Sequence, residues 1–305
     1  MTSADVSVAI PTYEREEVLV ATVEAVVADS QGAEVLVLDQ TVRHEPTTEQ
    51  ALSRLDERGA IRWIRLPQPS IPAAMNEGLR QASRPVVLFL DDDVVPGPGL
   101  AAAHAACYKD PSVWAVAGQV LQPGQAPAPG SAPRRGPVSG LRTDLDFRFN
   151  TDSRTWIENC IACNVSVRRE EALAVGGFDE NFVGAAYRFE TEFCKRLYKR
   201  GGRVLFEPAA SVRHLKAPRG GTRAFGDHRW SASPAHGVGD YYFALRHGSA
   251  WEALRYGVKR PLREVCTRFH MRHPWWIPSK LVGELRALVW AARLAKAGPR
   301  YGAQR

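Results

Sequence analysis

Apolar runs that alternate with helical stretches predict an α/β protein: a mostly parallel central sheet with flanking helices, followed by a basic helical C-terminal extension. Three observations carry this. Up to residue 120, runs of about four to eight apolar residues recur between stretches of about ten with helical periodicity, the pattern of βαβ units. Apolar residues make up 45% of the 305 and charged residues 24%, ordinary usage for a packed domain and unlike a disordered, collagen-like or coiled-coil chain. The charge is also unevenly placed. Residues 213–305 hold 18 Lys and Arg against 5 Asp and Glu, while residues 1–212 hold 22 against 28.

The elements follow in order. Val6–Ile10 is apolar and ends at Pro11, so it reads as a strand; Glu16–Ala28 has helical spacing, and Val35–Leu38 is a second strand ending at Asp39. Thr47–Arg58 is helical, Ile61–Leu66 a strand, and Pro72–Ala82 a helix with Pro in its first turn, where its missing N–H costs nothing. Val86–Leu90 is a continuous apolar run of buried-strand type, followed by a helix at Leu100–Lys109 and a strand at Val113–Val120. Pro123 to Gly140 holds too many prolines and glycines for helix or central strand. Residues 123–150 are therefore a loop, either a surface excursion or a flap over a site. A strand at Asn159–Val167, a helix at Glu190–Arg200 ended by Gly201-Gly202, and a strand at Arg203–Phe206 follow. Helical stretches near Gly239–Tyr256 and Pro278–Lys296 complete the chain.

Several classes drop out. The first residues lack a cationic stretch followed by an apolar one, and the longest apolar run, residues 85–90, is far too short to span a bilayer. The expected location is cytoplasmic. Five cysteines (Cys107, Cys160, Cys163, Cys194 and Cys266) suggest reduced thiols rather than a disulfide frame. Cys160-x-x-Cys163 has no second pair at finger spacing, and its residues alternate within the expected strand, so they read as structural. Neither a P-loop nor a dinucleotide glycine fingerprint follows the first strand. No nucleic-acid module or aromatic-basic motif is present, and no nucleic-acid partner is expected.

In an open parallel sheet, ligands bind at the carboxyl ends of the strands. Here the first strand runs into Pro11-Thr12-Tyr13-Glu14-Arg15, the second into Asp39, and the fourth into Asp91-Asp92-Asp93. Three adjacent carboxylates repel one another unless a cation neutralises them. With no Cys or His near them in the sequence, hard oxygen ligands favour Mg²⁺ or Mn²⁺. Tyr13 offers a ring for a nucleobase, and Asp39 an acceptor for a base or ribose.

Together these segments resemble a known family. VAIPTYER, VLVLDQ, IPAAMNEGL and VVLFLDDDVVP, in that order, look like the nucleotide-sugar half of family 2 glycosyltransferases of the GT-A fold. NCIACNVSVRREEALAVGGFDENF and AYRFETEFCKRLYKRGGRVLFEPAASVRHL look like the acceptor half, so the resemblance covers about residues 5–216. It implies a nucleotide-sugar half at 1–122 and an acceptor and catalytic half at 151–216 of one domain, with a basic extension at 217–305. Pro11, Thr12, Tyr13, Glu14, Asp39, Asn76, Asp91 and Asp92 are then expected to bind the donor, although Met75 stands where the family often has Arg. Asp91, Asp93 and His214 are expected to hold Mn²⁺ or Mg²⁺. Glu190 is the expected general base, with Glu192 on another face of the same helix.

The chemistry expected from the resemblance is inverting displacement of a nucleoside diphosphate, UDP first among the candidates, by a hydroxyl of a glycan or lipid-linked acceptor. The leaving charge needs neutralising and the attacking hydroxyl needs a base. A non-catalytic nucleotide-sugar or glycan-binding protein of the same fold is the second reading. In the tail, Trp275 and Trp276 precede an amphipathic stretch with Leu281, Leu285, Leu288 and Ala292 on one face and Lys280, Arg286, Arg293 and Lys296 outside it. This is either a helix packed on the domain or a peripheral contact with the anionic inner face of a membrane.

Overall fold

The computed structural model describes residues 1–130, 141 and 147–302. The strands are β1 (Val6–Thr12), β2 (Glu34–Asp39), β3 (Arg62–Arg65), β4 (Val86–Leu90), β5 (Val94–Pro96), β6 (Val113–Leu121), β7 (Thr155–Ile157), β8 (Asn164–Arg168) and β9 (Arg203–His214). The helices are α1 (Glu17–Asp29), α2 (Pro46–Glu57), α3 (Ile71–Gln81), α4 (Leu100–Cys107), α5 (Arg169–Ala174), α6 (Phe189–Lys199), α7 (Val238–His247), α8 (Ala250–Val265), α9 (Arg268–Arg272) and α10 (Ile277–Ala297).

One sheet holds all nine strands in the order β3-β2-β1-β4-β8-β6-β9-β5, with β7 also on β9. Strands β3, β2, β1 and β4 are parallel neighbours, and β6 and β9 point the same way. Strand β8 runs antiparallel between β4 and β6, so six strands share one direction and β5, β7 and β8 oppose it. Side chains alternate between two buried clusters, as the period of two in a strand requires. Ala9, Leu36, Leu38, Val87 and Phe89 face the side covered by α3, α6, α7 and α10; Val8, Ile10, Val35, Val37, Leu88 and Leu90 face α1, α2 and α4.

Observed and expected elements differ in three places. The strand expected over Asn159–Val167 begins only at Asn164. Cys160 instead turns into the core, with its Sγ 3.4 Å from that of Cys194, so the two cysteines of the C-x-x-C pair sit in a turn. Strands β5 and β7, three residues each, were too short to show a period. The docked face of α10 is not the leucine face. It buries Lys280, Gly283, Glu284, Ala287 and Ala291, while Leu281, Leu285 and Ala292 face outward. Close approach explains the choice: a Cβ on Gly283 would lie 2.9 Å from the Ser231 carbonyl oxygen, and Ala287 Cβ fits against Gly237.

Most of the Pro/Gly-rich loop, residues 131–140 and 142–146, lies outside the described residues, and with it the choice between excursion and flap. The basic extension is tied to the α/β body rather than free. Asp240 pairs with Arg188 ahead of α6 and with Arg260 at 3.0 Å, and Arg260 pairs in turn with Glu284 at 2.8 Å. Beyond α10, the chain returns to the α/β body at residues 179–181 and α3. Arg300 N donates to Asp179 Oδ1 (2.9 Å), Asn181 Nδ2 to the Gly298 carbonyl (2.6 Å), and Arg80 to the Gly302 carbonyl (2.7 Å).

Candidate active site

Parallel strands leave their carboxyl ends and the following turns at one edge of the sheet, and a cavity of about 180 Å³ opens there between β1 and β4. Pro11, Thr12 and Tyr13 line one wall, and Leu90 with Asp91, Asp92 and Asp93 another. Gln40, Met75, Ala162, His214 and Gly221–Arg223 close the rest. Thus the segment after His214 belongs to the site, and the boundary expected after residue 216 falls inside it. Gly220, with φ +72°, lets this segment turn so close to β1 that a Cβ would sit 2.3 Å from the Glu14 carbonyl oxygen. Gly221 N then donates to the Tyr13 carbonyl at 2.8 Å.

The three aspartates behave differently. Asp92 is buried, accepts from Thr12 Oγ1 at 2.7 Å and from Arg15 Nε at 3.0 Å, and is structural in its contacts. Burial pushes its carboxyl up to about 7, although Arg15 and Thr12 favour the charged form. Asp93 accepts from Ala217 N at 2.7 Å and lies 3.1 Å from His214 Nε2 and 3.3 Å from Arg15. Burial works against its charge, yet the His214 hydrogen bond, the His214 charge, the Ala217 N–H and Arg15 hold it below the usual carboxylate range. The side chain of Asp91 is 42% exposed and free to meet a ligand. The mutual repulsion expected of the triplet is therefore relieved for two of its members by Arg15, a contact absent from the sequence reading.

Other donors assemble around Asp91. His214 Nε2 lies 3.7 Å from Asp91 Oδ2, and its Nδ1 is 3.0 Å from Gln122 Oε1. The hydrogen bond and charge of Asp93, against some burial, raise the imidazole above its usual range. Cys163 Sγ joins the group: ligand atoms of Asp91, Cys163 and His214 all lie within 4.8 Å of one another. A carboxylate, an imidazole and a thiol at this spacing fit a divalent cation, and they sit on the wall a diphosphate would face.

Glu190 stands in the first turn of α6, behind the cavity lining, where the backbone N–H of the lining residue Ala162 favours its charged form. Burial, reinforced by the charge of Asp91, pushes its carboxyl up to about 7, against the pull of backbone N–H groups and Arg188. Arg188, ahead of it, adopts the left-handed conformation at φ +75°, a strained geometry for a side-chain-bearing residue, held by its pairing with Asp240. Glu192 faces elsewhere, in a two-pronged pair with Arg196 at 2.7 Å for each bond.

Three expected donor-binding residues do not reach the cavity. Asp39 is fully buried behind the wall, where His44 Nε2 (2.9 Å), Trp63 Nε1 (2.9 Å) and Thr41 N (2.9 Å) occupy its oxygens; Gln40 lines the cavity instead. Asn76 faces away, donating to the Phe178 carbonyl (2.9 Å) and accepting from Phe178 N (2.7 Å), and Met75 takes the wall position. One residue along a helix is about 100° of rotation, which separates Met75 from Asn76. Glu14 is exposed with φ +53°, its N–H donating to Thr41 Oγ1 at 2.9 Å. Arg15, Gln40, Cys163 and Gly221–Arg223 were missed. The Gly220-Gly221 doublet was the one local signal among them, because it marks a turn at close backbone approach.

The profile of the family described as "Glycosyl transferase family 2" matches residues 7–175. The pre-mycofactocin glycosyltransferase of Mycobacterium tuberculosis is 28% identical over 149 residues, 47% of this chain, and the match spans only 29% of that relative's length. Two solved structures share the fold. The mannosyltransferase PcManGT from Pyrobaculum calidifontis, in complex with GDP-Man and Mn²⁺, matches with a TM-score of 0.51 and 19% identity, over 98% of this chain and 77% of that one. TarS 1–349 of S. aureus, in complex with UDP-GlcNAc, matches with a TM-score of 0.55 and 17% identity, over 79% and 64% of the respective chains.

Proposed function

The chain belongs to glycosyl transferase family 2, and from that premise we propose that it moves a sugar from a nucleoside-diphosphate donor to a hydroxyl of a glycan or lipid-linked acceptor, with inversion. The observation that carries the reading is the cavity itself. It gathers Tyr13 and the Asp91–Asp93 turn around one space at the carboxyl edge of the sheet, and Ala162 of its lining links it to Glu190.

In this reading Tyr13 and Pro11 contact the base and ribose, and Arg223 and the Gly221 turn lie over the diphosphate. Asp91 and His214, with Asp93 behind them, would hold a divalent cation, which would supply Lewis-acid neutralisation of the leaving phosphate. Glu190 takes the proton of the acceptor hydroxyl as the oxygen bonds to the sugar's anomeric carbon and the carbon–phosphate oxygen bond breaks on the opposite face. The nucleoside diphosphate leaves with the electron pair. A carboxyl held near 7 is suited to this task, since a base is most effective near the working pH. Its match lies outside the family profile, which ends at residue 175, so Glu190 rests on position and environment.

The test is thermal melting with UDP first, then GDP, dTDP and CDP, each with and without Mn²⁺. We expect one nucleotide, with the cation, to raise the melting temperature by several degrees, as ligand near a hundred times its dissociation constant adds ~2.7 kcal/mol. No shift with any nucleotide would sink the donor assignment. A shift without sugar transfer to any acceptor would leave the binding-protein reading in its place.

We also propose that the C-terminal helices dock on an anionic membrane surface, where a lipid-linked acceptor would lie. No helix among the described residues is long and apolar enough to cross a membrane. Helix α8 supports a surface contact: Trp251, Leu254, Val258 and Leu262 form one stripe, each between 57% and 69% exposed, beside Arg255, Lys259 and Arg263. A groove of about 490 Å³ runs along the same helix, lined by those cations with Tyr256 and Leu262. Apolar groups rimmed by cations are what an anionic bilayer surface binds.

A further inference from the structure

Among the described residues, the donors around Asp91 include one that a hard-cation site does not use. Strand register puts Cys163 there. Leu90 pairs with Asn164 across β4 and β8, so the residue after one strand faces the residue before the other, and Asp91 N donates to the Cys163 carbonyl at 3.3 Å. Val94 pairs with His214 across β5 and β9, which carries the imidazole to the same place. Three separate segments of backbone thus aim a carboxylate, a thiol and an imidazole at one point, with ligand atoms all within 4.8 Å. In a tetrahedral site with bonds of about 2.0–2.3 Å, donor atoms lie about 3.3–3.7 Å apart. Side-chain movements of about 1 Å therefore bring all three onto one ion.

Ligand softness decides which ion such a set prefers. Carboxylates with water and phosphate oxygens suit Mg²⁺ and Mn²⁺; a thiolate and an imidazole add affinity for Zn²⁺ and Co²⁺. We infer that Cys163 is a metal ligand, and that with Asp91 and His214 it turns this site towards Zn²⁺ or Co²⁺. Binding would release the thiol proton to solvent and leave a metal–thiolate bond. The sequence offers no such signal, because Cys163 is 72 residues from Asp91 in the chain and pairs by spacing with Cys160. The inference rests on the reading that this wall of the cavity holds a divalent cation.

The test uses the full chain, stripped with chelator and titrated with Co²⁺, then with Zn²⁺ and Mn²⁺ in competition. We expect Co²⁺ to produce a sulfur-to-cobalt charge-transfer band in the near ultraviolet. In Cys163→Ser, Co²⁺ still binds but the band is gone, and the preference for Zn²⁺ over Mn²⁺ falls by about tenfold or more. Zn²⁺ outranks Mn²⁺ at most protein sites, so the loss in the variant, not the ranking itself, is the diagnostic. Cys266→Ser, at the exposed thiol, and Cys160→Ser, at the neighbouring buried one, keep the band. Cys163→Ala, judged folded by its melting curve, provides the same comparison if serine is not tolerated. A Co²⁺ complex without the band, or a band that survives in both Cys163 variants, overturns the inference while leaving a cation site intact. Failure of every divalent ion to bind, with and without nucleotide, overturns the cation reading beneath it as well.

Discussion

Glu190 ties function to stability at a single residue. Its carboxyl is held near 7, well above the ordinary glutamate value of about 4.3, chiefly by burial. The folded state therefore keeps its proton over a pH range in which the unfolded chain has already lost it. In that interval the folded state binds more protons, so stability falls as pH rises from about 4.3 to 7 and the cost stays constant above. Glu190→Gln is expected to lose about 10²-fold or more in turnover. The same change should raise the melting temperature at pH 8 by roughly 2–4 °C, with the gain gone near pH 4. Wild-type turnover should drop as pH falls through about 7. Near-normal turnover in Glu190→Gln, alongside loss in Asp93→Ala, would refute the base assignment.

At the same scale, the aspartate triplet shows how identical residues diverge. Asp92 is bonded to Thr12 and Arg15, Asp93 to His214, Ala217 N and Arg15, and Asp91 is left facing the cavity. The sequence pattern marked the triplet but not this division. The partners come from β1, from β9 and from the segment after it, and only folding puts them together.

Among the elements, the link between α6 and the C-terminal helices is the one with most at stake. Arg260 is buried between Asp240 and Glu284, and Asp240 also holds Arg188 in its left-handed conformation just before Glu190. Arg260→Met removes the shared cation and leaves Asp240 to Arg188 alone and Glu284 to Lys280 and the Tyr241 hydroxyl. The remaining partners keep the cost below the about 3–5 kcal/mol of a fully orphaned buried charge, and a urea unfolding midpoint measures it directly. A midpoint unchanged by the substitution would mean that the network is solvated in solution. Helix α10 teaches a related point. Its leucines mark one face for either packing or a membrane contact, and the face that packs is instead Gly283, Ala287 and Ala291, because small residues let the helix approach the 231–237 turn closely. Close packing, not side-chain apolarity, set the rotation of that helix.

Across the whole molecule, charge is divided: an acidic-to-neutral α/β body and a basic set of helices whose apolar stripe on α8 faces outward. Vesicles with anionic lipid should bring the protein down at low salt and release it at about 0.5 M, where screening shortens to a few ångströms. Replacing Trp251 and Leu254 by Ser should abolish most of the sedimentation without altering nucleotide binding, since neither residue lines the cavity. Equal sedimentation with the substituted protein would remove α8 from the contact.

The sequence by itself determined the α/β alternation, most helix and strand positions to within a few residues, and the turns at the carboxyl ends of β1 and β4 that line the cavity. Those features are local: a period of 2 or 3.6, a proline, three adjacent acids. What only the tertiary structure decided is long-range. It buried Asp39 against His44 and Trp63, turned Asn76 away in favour of Met75, neutralised two aspartates with Arg15, and closed the cavity with Gly221–Arg223. It also set Cys163 beside His214 through the registers of β4 with β8 and β5 with β9. The physical reason is that a side chain's type is written in the chain, whereas its partner depends on which strands pair and in which register, and those pairings join residues as far apart as Val94 and His214.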